Sequence, residues 1–121
     1  VYIDLERLDA TALPSIPEIT AITMAELHQG VAMAKSAAAR AARAEKLGVA
    51  IVDFDPLPFD GDAATRYGSL VALTLEADRD PRPRKLDLMI AAIASSRGLP
   101  LYTRDIDDFA GLDDMVTVIA V

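Results

Sequence analysis

Short runs rich in β-branched residues alternate with longer stretches of helical periodicity along the whole chain. This alternation leaves few folds open. Strands separated by helices cannot be joined by tight hairpins, so they need crossovers, which build a mostly parallel sheet with helices on its faces. Residues 18–23, 49–54, 99–103 and 116–121 read as strands. Residues 24–47 read as one long Ala-rich helix or a helix pair, with Gly48 as its C-terminal stop. Residues 60–77 carry Ala63, Ala64, Tyr67, Leu70, Val71 and Leu75 at helical spacing, and Pro81 and Pro83 break the pattern. Residues 86–97 predict a buried helix stopped by Gly98, and residues 106–110 a helical turn. The expected fold is α/β, an α/β/α sandwich with a mostly parallel central sheet. With 121 residues, 52% of them apolar, the chain suffices for one domain over residues 1–121 and is too short for two. In such folds the ligand site lies beyond the carboxyl ends of the strands.

Composition removes several functional classes. There is no cysteine, which excludes disulfide frameworks, thiol nucleophiles and cysteine-based zinc or iron–sulfur sites. The longest purely apolar run, residues 88–94, is far below the roughly 20 residues of a membrane-spanning helix, and no basic start with an apolar core is visible. A soluble cytoplasmic protein without membrane contact is the expectation. The net charge of −7 repels a polyanion at long range, so nucleic-acid chemistry here would need cations or a local basic rim. Basic residues do cluster: Arg79, Arg82, Arg84 and Lys85 share one segment, with Arg104 further on. Such a cluster is also what an ordinary solvated loop contains.

Acids stand at several predicted strand-to-helix junctions. Glu26 follows the first strand, where Thr23 and Glu26 also fit a capping box. Asp87 is the single polar residue in an otherwise apolar stretch over residues 86–94. Burying it unpaired would cost several kcal/mol or more, so it must cap its helix, find an ionic partner or bind a metal. Asp105 follows the strand at 99–103, in a place where Asp also makes turns or caps the next helical turn. Asp108, next to Phe109, either supports it from behind, as Thr103 would, or caps the last turn, while Asp107 reads as solvent-facing.

Taken together, the acids gain meaning, because this architecture gathers such junctions at one edge of the sheet. Two carboxylates about 4 Å apart repel by roughly 4 kcal/mol at an effective dielectric near 20, so a cluster of them attracts a cation. Oxygen donors with no cysteine and one histidine select a hard ion, Mg²⁺ or Mn²⁺, over zinc. Such an ion polarises a phosphoryl group, lowers the pKa of an attacking water and steadies the leaving oxygen, which suits phosphodiester hydrolysis without a protein nucleophile. No Ser-His-Asp set, His pair or phosphate-cradling glycine loop offers another chemistry, and His28 reads as a surface or packing residue. Arg82, Arg84, Lys85 and Arg104 would form a rim holding the phosphates of such a substrate. Two other readings compete: a catalytically inactive protein-binding module of the same fold, and a receiver-like domain with Asp53 after the run at 49–52. The second also needs an acidic pair near the start and a late-strand lysine, where this chain has Arg104.

Three segments resemble the VapC-type PIN-domain toxins of bacterial toxin–antitoxin pairs. Residues 19–31, Ile-Thr-Ala-Ile-Thr-Met-Ala-Glu-Leu-His-Gln-Gly-Val, look like that family's strand followed by (T/S)xxEL and a glycine. Residues 82–92, Arg-Pro-Arg-Lys-Leu-Asp-Leu-Met-Ile-Ala-Ala, look like its D-L-x-I-A-A helix. Residues 98–109, Gly-Leu-Pro-Leu-Tyr-Thr-Arg-Asp-Ile-Asp-Asp-Phe, look like its G-x-x-L-x-T-x-(D/N)-x-x-D-F stretch. Order and separation match over almost the whole chain. The resemblance implies a Mg²⁺-dependent endoribonuclease with Glu26, Asp87 and Asp105 as catalytic and metal-site acids. It further implies inhibition by a VapB-type antitoxin and a homodimer or toxin–antitoxin hetero-oligomer, with apolar residues such as Leu5, Leu8, Leu13, Met24 and Met33 as candidate partner contacts. The family also has an Asp ending its first strand. In the favoured alignment that strand and its Asp precede Val1, making the chain N-terminally truncated; in the competing one residues 1–3 form the strand and Asp4 is the acid.

Overall fold

The structure, a computed structural model, describes Val1, Ile3 and residues 18–121. Its helices are α1 (Ala21–Ala32), α2 (Ala37–Asp53), α3 (Gly61–Glu76) and α4 (Lys85–Ser96), and its strands are β1 (Leu101–Thr103) and β2 (Val118–Ala120). Short 3₁₀ turns at Arg82–Arg84 and Ile106–Phe109 precede α4 and follow β1. The two strands pair in parallel, Leu101 opposite Val118 and Thr103 opposite Ala120. Val1 and Ile3 lie along the other side of β1, where Tyr102 N donates to Val1 O at 2.9 Å and Ile3 N donates to Tyr102 O at 3.3 Å. That alternation is the hydrogen-bond pattern of parallel strands. β1 is therefore central, and the parallel α/β architecture expected from the sequence is present.

The beginning of α1 differs from expectation. Residues 18–23 contribute an isolated parallel bridge, Thr20 with Leu57, and the helix begins at Ala21. Thr20 is the N-cap: its hydroxyl accepts from Thr23 N at 3.1 Å and donates to Thr23 Oγ1 at 3.3 Å. The β-branched run concealed this boundary, because a threonine that caps a helix has the same extended backbone as one in a strand. Thr20 is fully buried, so Thr20→Ala should cost about 1–2 kcal/mol, the loss of a helix cap in a site water does not reach. Urea denaturation should show this as a lower midpoint, with Thr20→Ser retaining most of the stability.

The expected helix over 24–47 is a helix pair, broken at residues 33–36. Ser36 caps α2 by accepting from Ala39 N at 3.1 Å. Arg43 donates to Gly30 O at 2.7 Å and Arg40 to Ala34 O at 3.3 Å, satisfying carbonyls at and just beyond the end of α1. Gly48 does not stop α2, and residues 49–53 are helical rather than a strand. Burial explains the correction. Ala50 is buried while Val49, Ile51 and Val52 are exposed, whereas a buried strand would have enclosed alternate or all positions. Gly48 inside the helix costs only about 1 kcal/mol relative to alanine.

α3 agrees with its periodicity. Asp60 caps it by accepting from Ala63 N at 3.0 Å, and Ala63, Leu70 and Thr74 are its buried stripe. α4 is buried from Leu88 through Ser95 on nearly every face, so it is the central helix of the core. It ends where expected, at Gly98 with φ +65°. Leu99 N donates to Ala94 O at 2.9 Å, and the chain reverses into β1. The core gathers Leu70, Leu88, Ile90, Leu101, Phe109, Leu112 and Val116 with Val1 and Ile3. Among the described residues no helix is long and apolar enough to cross a membrane.

Candidate active site

The reversal at Gly98 sets the position of the acids. From Gly98 back to Asp87 the helix rises about 16 Å, and from Gly98 forward to Thr103 an extended chain travels a similar distance of about 16 Å. The first turn of α4 thus lies level with the carboxyl end of β1, as the general rule for ligand sites in α/β sheets anticipates. Asp87 lies in that first turn and Asp105 follows that strand. Glu26 sits on α1 one turn beyond buried Thr23, and α1 packs against both α2 and α4.

Several structural alternatives for these acids fall away. Thr20, not Thr23, caps α1, so Glu26 is not half of a capping box; it is an exposed residue within the helix. Asp87 is not the α4 N-cap, a position held by Arg84 without a side-chain hydrogen bond. It lies half-buried in the first helical turn, where the partial positive charge of the helix start favours a carboxylate. Asp105 precedes the 3₁₀ turn without capping it through its side chain. Its backbone N donates to Thr103 Oγ1 at 3.1 Å, and its carbonyl accepts from Asp108 N at 3.0 Å. Buried Thr103 therefore orients the backbone of Asp105 from behind. Asp108 is half-buried beside Phe109, and Asp107 is exposed.

Oxygen donors of this kind fit Mg²⁺, which keeps several waters and takes one or two carboxylates directly. Among the described residues no group of three or more His, Asp and Glu side chains could hold a metal ion together. Asp4, the acid that the competing alignment would add, lies outside the described residues, as do Leu5, Leu8 and Leu13. The pairing of Val1 and Ile3 with Tyr102 is the strand placement that alignment assigns to residues 1–3.

The basic segment is less uniform than its sequence. Arg82 makes a two-pronged contact with Asp80, at 3.0 Å from Nε and 3.1 Å from Nη2. These bonds hold the Asp80 carboxyl below its usual pKa and raise that of Arg82. Arg84 donates to Asp80 O at 3.2 Å. Lys85 and Arg104 are exposed, at the first residue of α4 and just after β1. His28 is an exposed residue of α1, as expected, and Asp53 ends a helix, which removes the strand that a receiver-like reading requires. A separate cleft of about 520 Å³ lies between α1 and α2, lined by residues including Leu27, Ala42, Val49 and Phe54. Neither Asp87 nor Asp105 contributes to it.

A parallel pair of strands flanked by the four described helices, with Asp105 just beyond the carboxyl end of β1 and Asp87 in the first turn of α4, the helix that precedes that strand, is the arrangement of a PIN-like domain. No protein-family profile matches the chain. It is 41% identical over 112 residues to Ribonuclease VapC5 of Mycobacterium tuberculosis (strain ATCC 25618 / H37Rv), spanning 93% of this chain and 80% of that protein. The structure superposes with TM-score 0.80 and 39% identity on VapBC-5 of M. tuberculosis, a member of the VapBC family of toxin–antitoxin systems, over 95% of this chain and 88% of the other. FitAcB of Neisseria gonorrhoeae matches with TM-score 0.74 and 29% identity over 90% of this chain and 78% of its own. The chain belongs to the VapC family.

Proposed function

We propose that the protein is a Mg²⁺-dependent endoribonuclease that hydrolyses RNA phosphodiester bonds and acts as the toxin of a toxin–antitoxin pair. The observation that carries this reading is the 41% identity to a VapC ribonuclease over nearly the whole chain. Asp87 and Asp105 are the acids assigned to the ion; among the described residues Glu26 does not join them in a group that could hold it, and Mn²⁺ would substitute for Mg²⁺. Bound there, the ion polarises a phosphoryl oxygen and offsets the charge that develops on the leaving oxygen. The protein's own part is positional: the start of α4 fixes Asp87, and Thr103 together with the Ile106–Phe109 turn fixes Asp105.

Solved relatives such as VapBC-5 come from toxin–antitoxin systems, which supports a VapB-type antitoxin as the partner, in a homodimer or toxin–antitoxin hetero-oligomer in the cytoplasm. The test is incubation of total cellular RNA with antitoxin-free protein in Mg²⁺, in Mn²⁺ and in chelator. Discrete fragments that need the metal are expected. Intact RNA with folded protein in both ions would overturn catalysis and leave the inactive binding module.

The rim makes a graded prediction. Lys85→Glu should lower the slope of log affinity against log salt for single-stranded RNA by about 0.7, the value for one lost phosphate contact. Arg82→Glu should change it less, because Asp80 already engages that guanidinium. Fluorescence anisotropy across a salt series with a labelled oligoribonucleotide in chelator measures both.

A further inference from the structure

The two ends of the basic segment differ. Arg82 and Arg84 bond to Asp80 inside their own segment, whereas Arg79 Nη1 donates to the backbone carbonyl of Asp107, 28 residues along the chain. Asp107 lies within the 3₁₀ turn that directly follows Asp105. Arg79 is half-buried although residues 75–78 and Asp80 around it are exposed.

Local geometry aims the side chain. α3 closes with Arg79 N donating to Thr74 O at 3.0 Å and Asp78 in the left-handed region at φ 56°, a C-terminal motif that turns the chain sharply off the helix axis. A second contact joins the same two segments. Gly111 has φ +86°, and a Cβ placed there would stand 3.1 Å from the Ala77 side chain. The end of α3 therefore abuts the segment that carries Asp105 at two points, one polar and one by close packing.

We propose that Arg79 is a positioning residue for the acid site: its bond to the Asp107 carbonyl holds the turn at 105–109 against the end of α3 and so fixes the direction of the Asp105 carboxylate. This rests on the reading of Asp105 as an acid of the metal site. A guanidinium suits the role because it donates to a carbonyl from a planar, always charged group. Lysine would supply the charge without that geometry. Sequence reasoning had no route to this residue, since a basic residue in a basic loop gives no sign of a partner 28 positions away.

Three variants test it: Arg79→Ala, Arg79→Lys and Gly111→Ala. Two readouts are taken, hydrogen exchange of the Asp108 amide in metal-free protein and steady-state cleavage of an RNA oligonucleotide across a Mg²⁺ titration. Asp108 N is the donor that closes the turn onto the Asp105 carbonyl. For Arg79→Ala the Asp108 amide should lose protection. The Mg²⁺ concentration at half-maximal rate should rise about tenfold, in the range found when residues supporting a metal ligand are removed. KM for RNA should stay within about twofold, with the loss in kcat. Arg79→Lys should restore part of the loss, and Gly111→Ala should reproduce it from the packing side. Unchanged Asp108 protection in Arg79→Ala, or a loss lying wholly in KM, overturns the proposal. A wild-type protein without any cleavage would sink the nuclease reading instead, and the exchange measurement would still decide whether Arg79 holds the turn.

Discussion

Asp87→Asn should lower the rate of metal-dependent RNA cleavage by about 10³-fold or more while leaving the protein folded. The expected size follows from the ion's task, since several kcal/mol of transition-state charge stabilisation at about 1.4 kcal/mol per decade corresponds to roughly three powers of ten. The part of the structural cost that comes from the helix start is small by comparison. Asp87 lies in the first turn of α4, where losing a favourable charge at the helix start costs about 0.3–1 kcal/mol, and asparagine keeps the shape of the side chain. The melting temperature should therefore fall by only a few degrees. Cleavage rates under single-turnover conditions, taken with a thermal melt of the same sample, separate the two effects. A variant retaining more than about a tenth of wild-type activity would place the chemistry away from α4. Loss of activity together with loss of the melting transition would instead make Asp87 structural.

The elements that could be read from the sequence are those whose boundaries are marked by chemistry with one meaning. α4 was legible because Gly98 has φ +65° and because residues 88–94 are apolar on every face, which only a central helix or a fully buried strand satisfies. α3 was legible from its stripe and from the proline pair beyond it. The start of α1 and the end of α2 were not, for one shared reason. β-branched residues suit strands, yet they also stand at caps and on exposed helical faces, so Thr20 could be resolved only by its cap hydrogen bond and the run at 49–52 only by burial. Asp87 and Asp105 each stand beside a boundary that the sequence marks, the start of α4 and the end of β1. Backbone partners far along the chain have no such marker, and Arg79 is the clearest instance.

Phe109→Ala should destabilise the domain by about 3–5 kcal/mol, the usual cost of removing a buried phenyl ring. Phe109 is 2% exposed and packs in the cluster that contains Leu88, Leu101 and Leu112. It is thus in the same core as the first turns of α4 and the first residue of β1. Against a total stability of roughly 5–15 kcal/mol for a domain, the loss removes at least about a fifth of the margin and at the low end of that range all of it. In urea the midpoint should drop with an unchanged slope, and the melting temperature should fall by about 10 °C or more. Phe109→Leu should cost less, because it leaves a smaller cavity. The ring also ends the turn that follows Asp105, so the damage should reach the site before the fold fails. At denaturant concentrations where Phe109→Ala is still mostly folded by circular dichroism, its cleavage rate should already have fallen more steeply than that of the wild type, whereas a core variant on a different element, Leu70→Ala on α3, should lose activity only in step with folding. Parallel loss of signal and activity in both variants would show that the turn at 106–109 is rigid without its aromatic anchor, and would confine the role of Phe109 to stability.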